Sequence, residues 1–591
     1  MTLHPLFART GLLLTLGFAI VNGGTAVHAA KPVWLKLQTK EFVVYSDAKE
    51  KDVIESALRY AAYRRAFDDF FVPSGGYLSP SILLMFRAEK TFHAHLPTRK
   101  PKNTNLVNFS TEVDGVPLTA FPLSGDPSRA LEMTSEFETI WALKRLGYYV
   151  PVWMSQGTGG LLSAIEVRPT QVTVGRLDQR SVRSLTWPRF FEVGEGSKLY
   201  HDSPQLGDYL AQARELMHWI LLQDESTRER FTELALQLRT SSAIDAVEGV
   251  MKTDMAGFNR AITEHLRRTP KRLMVFDPAL VRTSFKITVA PEAEVLVTTA
   301  ELLAAAKRFH EANANLDRAH ELAPELSVVK DARARRMLRE GRTDEAVRLY
   351  REAIDAGSKN PAAYLRSAQA RLDDARTRGR DIAGEGGSAA TIAVEELRRA
   401  ISLNRGNAEA YQLLGRAFYV MPELANDHVE ELSRGVFMGE QSQLIRLYRS
   451  GLYSRLHQTE KAVADLRHVI AASDISPQNR SYAQERLAAL MFERDLKIVE
   501  SHLKEKNHGA AREVLTTAAS LPDCQAAAPD YARLSTWVDE SEAWSQLEAL
   551  GKTKSWAEFR AASRRFAERF PHSQRAREAR RIAVAPPYPG E

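Results

Sequence analysis

The sequence predicts an α+β N-terminal domain followed by an all-α solenoid of helical repeats. Three observations carry this reading. Short β-rich runs alternate with amphipathic stretches over the first ~270 residues. From about residue 293 the strand signals stop and alanine recurs at fixed intervals. Ahead of both lies a leader that belongs to neither. The 591 residues are 44% hydrophobic and 26% charged, which suits a large multidomain protein and excludes wholesale disorder. A formal net charge of +6 is too thin for a dedicated nucleic-acid binder, so no nucleic-acid partner is expected. The single cysteine, Cys524, excludes an intrachain disulfide and a zinc site of several thiolates.

In chain order, Arg9 supplies a basic start, and Gly11–Val21 is apolar but too short for a bilayer core, which takes about 20 residues. Val27 and Ala29 are the small residues a signal peptidase needs, so 1–29 reads as a cleaved signal peptide, with cleavage after Ala30 as the alternative. No later apolar run is long enough to span a membrane. A periplasmic or secreted bacterial protein is expected. Within 30–270, Phe42–Tyr45 and Ile82–Phe86 read as buried strands. Between them Ile54–Phe71 reads as a helix with Arg59, Arg64 and Arg65 on its wet side. Asp126 and Pro127 are a favoured N-cap and N1 pair, opening a helix that runs to Leu146-Gly147. Further helices are expected near 155–165, 207–223 and 225–238, and 271–292 reads as a linker.

Over 293–495 the repeat signal is specific. Ala312, Leu316 and Ala319 are followed by Pro324, and Ala346, Tyr350 and Ala353 repeat the pattern 34 residues later. Ala393, Leu397 and Ala400 repeat it again, as do Ala462 and Leu466, while Tyr411, Leu414, Gly415 and Phe418 fit a first helix. These are the small, large, small and proline positions of a tetratricopeptide repeat. Small residues let paired helices approach, and the large one fills the groove of the next pair. Such an array implies a protein or peptide partner. Residues 378–391 are Gly-rich and read as a flexible insertion between the helices of one repeat. Arg333–Arg336 and Arg575–Arg581 read as solvated helix faces. The stretch 496–591 reads as weaker helical repeats or a cap, with helices over 506–519 and 556–570 and a disordered Pro-rich tail.

Four landmarks in the first domain share an order and spacing: Trp34–Tyr45, Ile82–Phe92, Pro151–Gly157 and Leu210–Leu222. On these the N-terminal part resembles the peptidase-MA-like, gluzincin-type domains of secreted bacterial proteins. The resemblance implies a metallopeptidase-like α+β fold. It also implies an H-E-x-x-H helix carrying two zinc-binding histidines and a general-base glutamate, with a third ligand from W-x-x-E-G on the next helix. Carried over, the first histidine becomes Ser135, the base Glu136, the second histidine Thr139, the third ligand Gln156, and a further carboxylate Gly160. Hydroxyls and a carboxamide are poor zinc ligands, and no histidine lies between His95 and His201. The resemblance therefore implies a site without metal, cofactor or catalytic residue.

The expected function is an exported non-catalytic scaffold with a pseudopeptidase domain. The competing expectation is a hydrolase using Glu136 and Glu138 in the same cleft. Two residues apart on a helix, those carboxylates point about 200° apart. A third reading makes the first domain a structural cap for the repeats. His93 with His95 and His201 with Asp202 read as surface pairs, and His218 as a structural histidine on an apolar face. Gly157-Thr158-Gly159-Gly160 lacks a P-loop lysine, and its glycines weaken their helix by about 1 kcal/mol each. Cys524 has no partner motif.

Overall fold

A computed structural model describes residues 33–586 apart from 73–79, 98–106, 126, 146–149, 169, 177–184, 195, 202–203, 224–225, 239–240, 269, 378–384, 437–441, 473–474 and 554. The leader and its cleavage site, Asp126, Leu146-Gly147, Asp202, residues 378–384 and the last five residues lie outside the described set.

The first part is built on strands β1 (Leu35–Gln38), β2 (Phe42–Ser46), β3 (Ser81–Phe86), β4 (Phe109–Val113) and β5 (Val116–Pro122). Helix α1 (Glu50–Phe71) connects β2 to β3, and the short α2 (Glu89–His93) follows β3. Thr39 Oγ1 accepts from the amides of Glu41 and Phe42, turning the chain back, so the landmark Trp34–Tyr45 is a hairpin of β1 and β2. Helices α3 (Pro127–Arg145) and α4 (Val152–Ser163) come next, then β6 (Glu166–Val167) and β7 (Gln171–Val174). There follow α5 (Trp187–Phe191), α6 (Lys198–His201), α7 (Leu206–Leu221), α8 (Thr227–Gln237), α9 (Ala243–Met251) and α10 (Met255–Arg268). Residues 271–292 are not a linker. They carry β8 (Arg272–Val275), α11 (Pro278–Thr283) and β9 (Lys286–Val289). β8 completes a small sheet β6-β7-β8, and β9 pairs antiparallel with β1 in a sheet of order β4-β5-β3-β2-β1-β9.

Alternation sorts the large sheet into two buried faces. Leu83, Met85 and Phe121 join α1 and the following helices in one core. Leu84, Phe86, Leu118 and Ala120 join Val295 and Leu302 in another. Those last two residues belong to α12 (Glu292–Ala305), so the first helix of the solenoid is also the second layer of the sheet. Lys36 Nζ and the Tyr45 hydroxyl both donate to Glu294, at 2.6 and 2.7 Å, reinforcing that contact.

The solenoid continues as α13 (Phe309–Leu322), α14 (Ser327–Arg339), α15 (Thr343–Asp355), α16 (Pro361–Thr377) and α17 (Glu385–Leu403). Then come α18 (Ala408–Val420), α19 (Asn426–Gly435), α20 (Ser442–Arg455), α21 (Thr459–Ala471), α22 (Pro477–Lys504) and α23 (His508–Ser520). A 3₁₀ turn over Pro522–Ala527 leads into α24 (Ala528–Lys552), α25 (Trp556–Arg569) and α26 (Gln574–Val584). The insertion sits between α16 and α17 as expected, but Glu385 onward is helical rather than loop. Four turns between paired helices use one left-handed residue each, Lys307, Gly341, His457 and Lys506, at φ of 61, 78, 57 and 56°. After each, the next amide reaches back to a carbonyl of the preceding helix, as Arg308 does to Leu303 and Arg342 to Met337. The cores run serially along the array, each joining one helix pair to the start of the next.

Candidate functional site

Helices α3, α4 and α7 pack in that order and bring the candidate positions together. Their closeness depends on glycine. A Cβ on Gly157 would lie 2.7 Å from the Ala213 carbonyl carbon and 2.7 Å from Met217 Cγ of α7. A Cβ on Gly159 would lie 2.8 Å from Glu136 Cγ of α3. Gly160 has ordinary room, its nearest neighbour being Arg214 at 3.5 Å. The glycines are thus explained by helix packing at Gly157 and Gly159, which a reading based on helix weakness does not provide.

The positions expected to be vestigial are engaged with the protein itself. Thr139 donates to the Ser135 carbonyl at 2.8 Å, so the Tyr63 hydroxyl, 3.1 Å away, donates to Thr139. Gln156 Nε2 donates to the Tyr200 hydroxyl at 2.7 Å. Burial pushes the Glu136 carboxyl up from its ordinary range, and the Arg214 guanidinium pulls it back down. Glu138 lies on the other side of α3, where its carboxylate accepts from Tyr60 and from Ser81. The two glutamates therefore do not face one cleft. Burial, then the Glu138 charge, pushes the Tyr60 and Tyr63 hydroxyls up. Among the described residues, no three His, Cys, Asp or Glu side chains gather in a way that would hold a metal ion.

Arg64 departs from expectation. It is 4% exposed rather than on the wet side, and the charges of Asp68 and Glu138 help hold it protonated against the cost of burial. Arg59 and Arg65 are exposed. His93 contacts Glu89 Oε1 at 3.0 Å and His95 the Thr91 carbonyl at 2.8 Å, so the two rings are held separately. His218 is fully buried, between the Gly175 carbonyl at 3.1 Å and His265 at 2.9 Å. Burial, then the His218 charge, pushes His265 down to about 4. Cys524 is buried near Tyr531.

In the solenoid, Ala312, Leu316, Ala319, Ala346, Tyr350, Ala353, Ala393, Leu397, Ala400, Tyr411, Ala462 and Leu466 are all buried. Gly415 lies where a Cβ would be 2.8 Å from Tyr448. The Arg575–Arg581 arginines are exposed. Arg335 is not part of a solvated face: its side chain is 13% exposed and paired with Glu301 and with Asp114 of the β4–β5 hairpin. That hairpin was missed from sequence. Its signal is present in Val113-Asp114-Gly115-Val116, since Asp-Gly between apolar residues marks a two-residue turn.

Midway along the array lies an exposed aromatic and basic face. Tyr419 of α18 and Tyr482 of α22 are 42% and 47% exposed. Arg455 donates to the carbonyls of Phe418, Tyr419, Met421 and Pro422, fixing the end of α18. Among the described residues no helix is long and apolar enough to cross a membrane.

Comparison with known proteins places these helices. Residues 327–370, which span α14, α15 and the start of α16, match the tetratricopeptide repeat family. The solved structure of TTC0263, a thermophilic TPR protein of Thermus thermophilus, is 17% identical and covers 32% of this chain and 96% of its own, with a TM-score of 0.23. The P58(IPK) TPR domain is 15% identical and covers 50% of this chain and 88% of its own, with a TM-score of 0.18. No curated protein matches the chain. The chain thus contains a tetratricopeptide repeat at 327–370, within a helical solenoid joined to an α+β sheet domain.

Proposed function

We propose that the protein is an exported, non-catalytic scaffold that binds a protein or peptide partner through its repeats, with a metal-free pseudopeptidase domain at its head. The repeat at 327–370, continued on both sides by serially packed helix pairs, is the observation that carries this reading. The exposed Tyr419 and Tyr482 supply the aromatic anchors that dominate protein interfaces. The self-engaged Thr139 and Gln156 support a head domain without metal, and the opposed placement of Glu136 and Glu138 gives the hydrolase reading no paired carboxylates.

Two measurements test this. Photo-crosslinking residues at Tyr419 and Tyr482 should capture one envelope protein that a residue at Arg399, on a second helix, does not. Equal capture from all three positions overturns the scaffold reading. Elemental analysis of the purified mature protein should find less than a tenth of an equivalent of zinc. A full equivalent, lost in Glu136→Ala with Gln156→Ala, overturns the metal-free assignment.

A further inference from the structure

We propose that the first repeats form a carboxylate-binding site held in cis by the protein's own β4–β5 hairpin, which a partner's acidic segment displaces. The tip of the hairpin is Asp114 and Gly115, at φ of 52 and 82°, between the paired Val113 and Val116. The Asp114 carboxylate accepts from Arg335 Nη1 at 2.5 Å and from Asn360 Nδ2 at 2.8 Å. Arg335 is also paired with Glu301 at 3.0 Å. Gly115 lies against Asn404, whose Nδ2 would be 2.8 Å from any Cβ there. These partners come from α12, from α14 and from the segments leading into α16 and α18. The tip therefore lies across the side of the array that successive first helices share, the side on which a solenoid binds extended partners.

The site is built. The Arg335, Glu301 and Asp114 side chains are 13%, 9% and 16% exposed. A guanidinium buried to that degree needs acceptors, and the hairpin supplies one of its two carboxylates. The fit is also incomplete. Tyr350 is fully buried at this junction, within reach of the Asp114 and Arg335 charges, and its hydroxyl has no hydrogen-bond partner among the described residues. A ligand with a longer acidic side chain reaches an acceptor to that hydroxyl where Asp114 does not. The hairpin tip is suited to leave, while β5 stays paired with β3 and packed in the core. β4 is an edge strand paired only with β5, none of its residues is fully buried, and its tip contacts are polar, so a competing carboxylate replaces them one for one. This inference deepens the scaffold reading and rests on it only for the existence of a partner.

The test uses the full chain and a backbone-cyclised peptide of residues 110–119, so it needs no natural partner. Asp114→Asn keeps a turn-competent Asn-Gly and removes the carboxylate. The cyclic peptide, followed by fluorescence anisotropy, should bind D114N at least tenfold more tightly than the unaltered chain, and adding Arg335→Met should abolish that binding. Equal affinity for both chains, or binding to neither, overturns the proposal. A second measurement needs no variant. Saturating cyclic peptide on the unaltered chain should speed hydrogen exchange in 109–115 at least tenfold and leave 442–586 unchanged. No change in 109–115 overturns it.

Discussion

At Gly157 and Gly160, three positions apart on one helix, neighbouring backbone decides between opposite outcomes. Gly157→Ala drives a methyl into α7 and is expected to cost about 1–3 kcal/mol. Gly160→Ala meets only a flexible arginine and gains helix propensity, up to about 1 kcal/mol of stability. Urea denaturation of the two variants checks both signs. The His218–His265 pair makes a pH prediction. An unfolded histidine protonates near 6.5, whereas burial holds folded His265 neutral down to about 4. Acid thus loads protons onto the unfolded chain first, so the pair's contribution is complete above pH 6.5 and falls as pH drops towards 4. His265→Asn should flatten stability against pH in that window, as read by denaturation at stepped pH. The residue scale is also where sequence reading failed most. Arg64 and Arg335 sit at helical spacings that look wet, and partners 74 and 221 residues away make them buried ions. Periodicity records which face a residue is on, not what distant segment covers that face.

At the scale of elements, most of the helices are legible because their apolar spacing is local. The turns between them are less so. Gly341 announces a left-handed C-terminal cap, whereas Lys307, His457 and Lys506 adopt the same conformation without glycine. Gly341→Ala should therefore destabilise by about 1 kcal/mol, and Lys506→Gly should stabilise by about 0.5 kcal/mol, measured as midpoint shifts in thermal unfolding. Short strands fared worst. β8 and β9 are four residues each, fewer than any periodicity needs to stand out, and they are strands only because β7 and β1 offer edges to pair with. The candidate positions lie on α3 and α4, two helices whose spacing is local. The packing against α7 through Gly157 was not legible, because close backbone approach leaves no mark beyond a glycine.

For the whole molecule, the consequence of α12 serving both the sheet and the solenoid is that the two parts are not independent. Leu302→Ala should cost about 2–5 kcal/mol and unfold the sheet and the first repeats together, seen as one shifted transition in hydrogen exchange. A fragment ending at residue 270 lacks β8, β9 and α12 and should remain unfolded or aggregate. Extending it through Ala306 should restore a cooperative transition by circular dichroism.

By itself the sequence determined that an α+β part precedes a helical solenoid containing a tetratricopeptide repeat, because those patterns depend on neighbours a few residues apart. Only the tertiary structure decided that the expected linker is sheet, that Arg64 and Arg335 are buried ions, and that a two-residue hairpin tip occupies the repeats. Those features depend on segments distant in sequence closing on one another, and the free energy that selects them is the burial and pairing of groups whose partners no local pattern names.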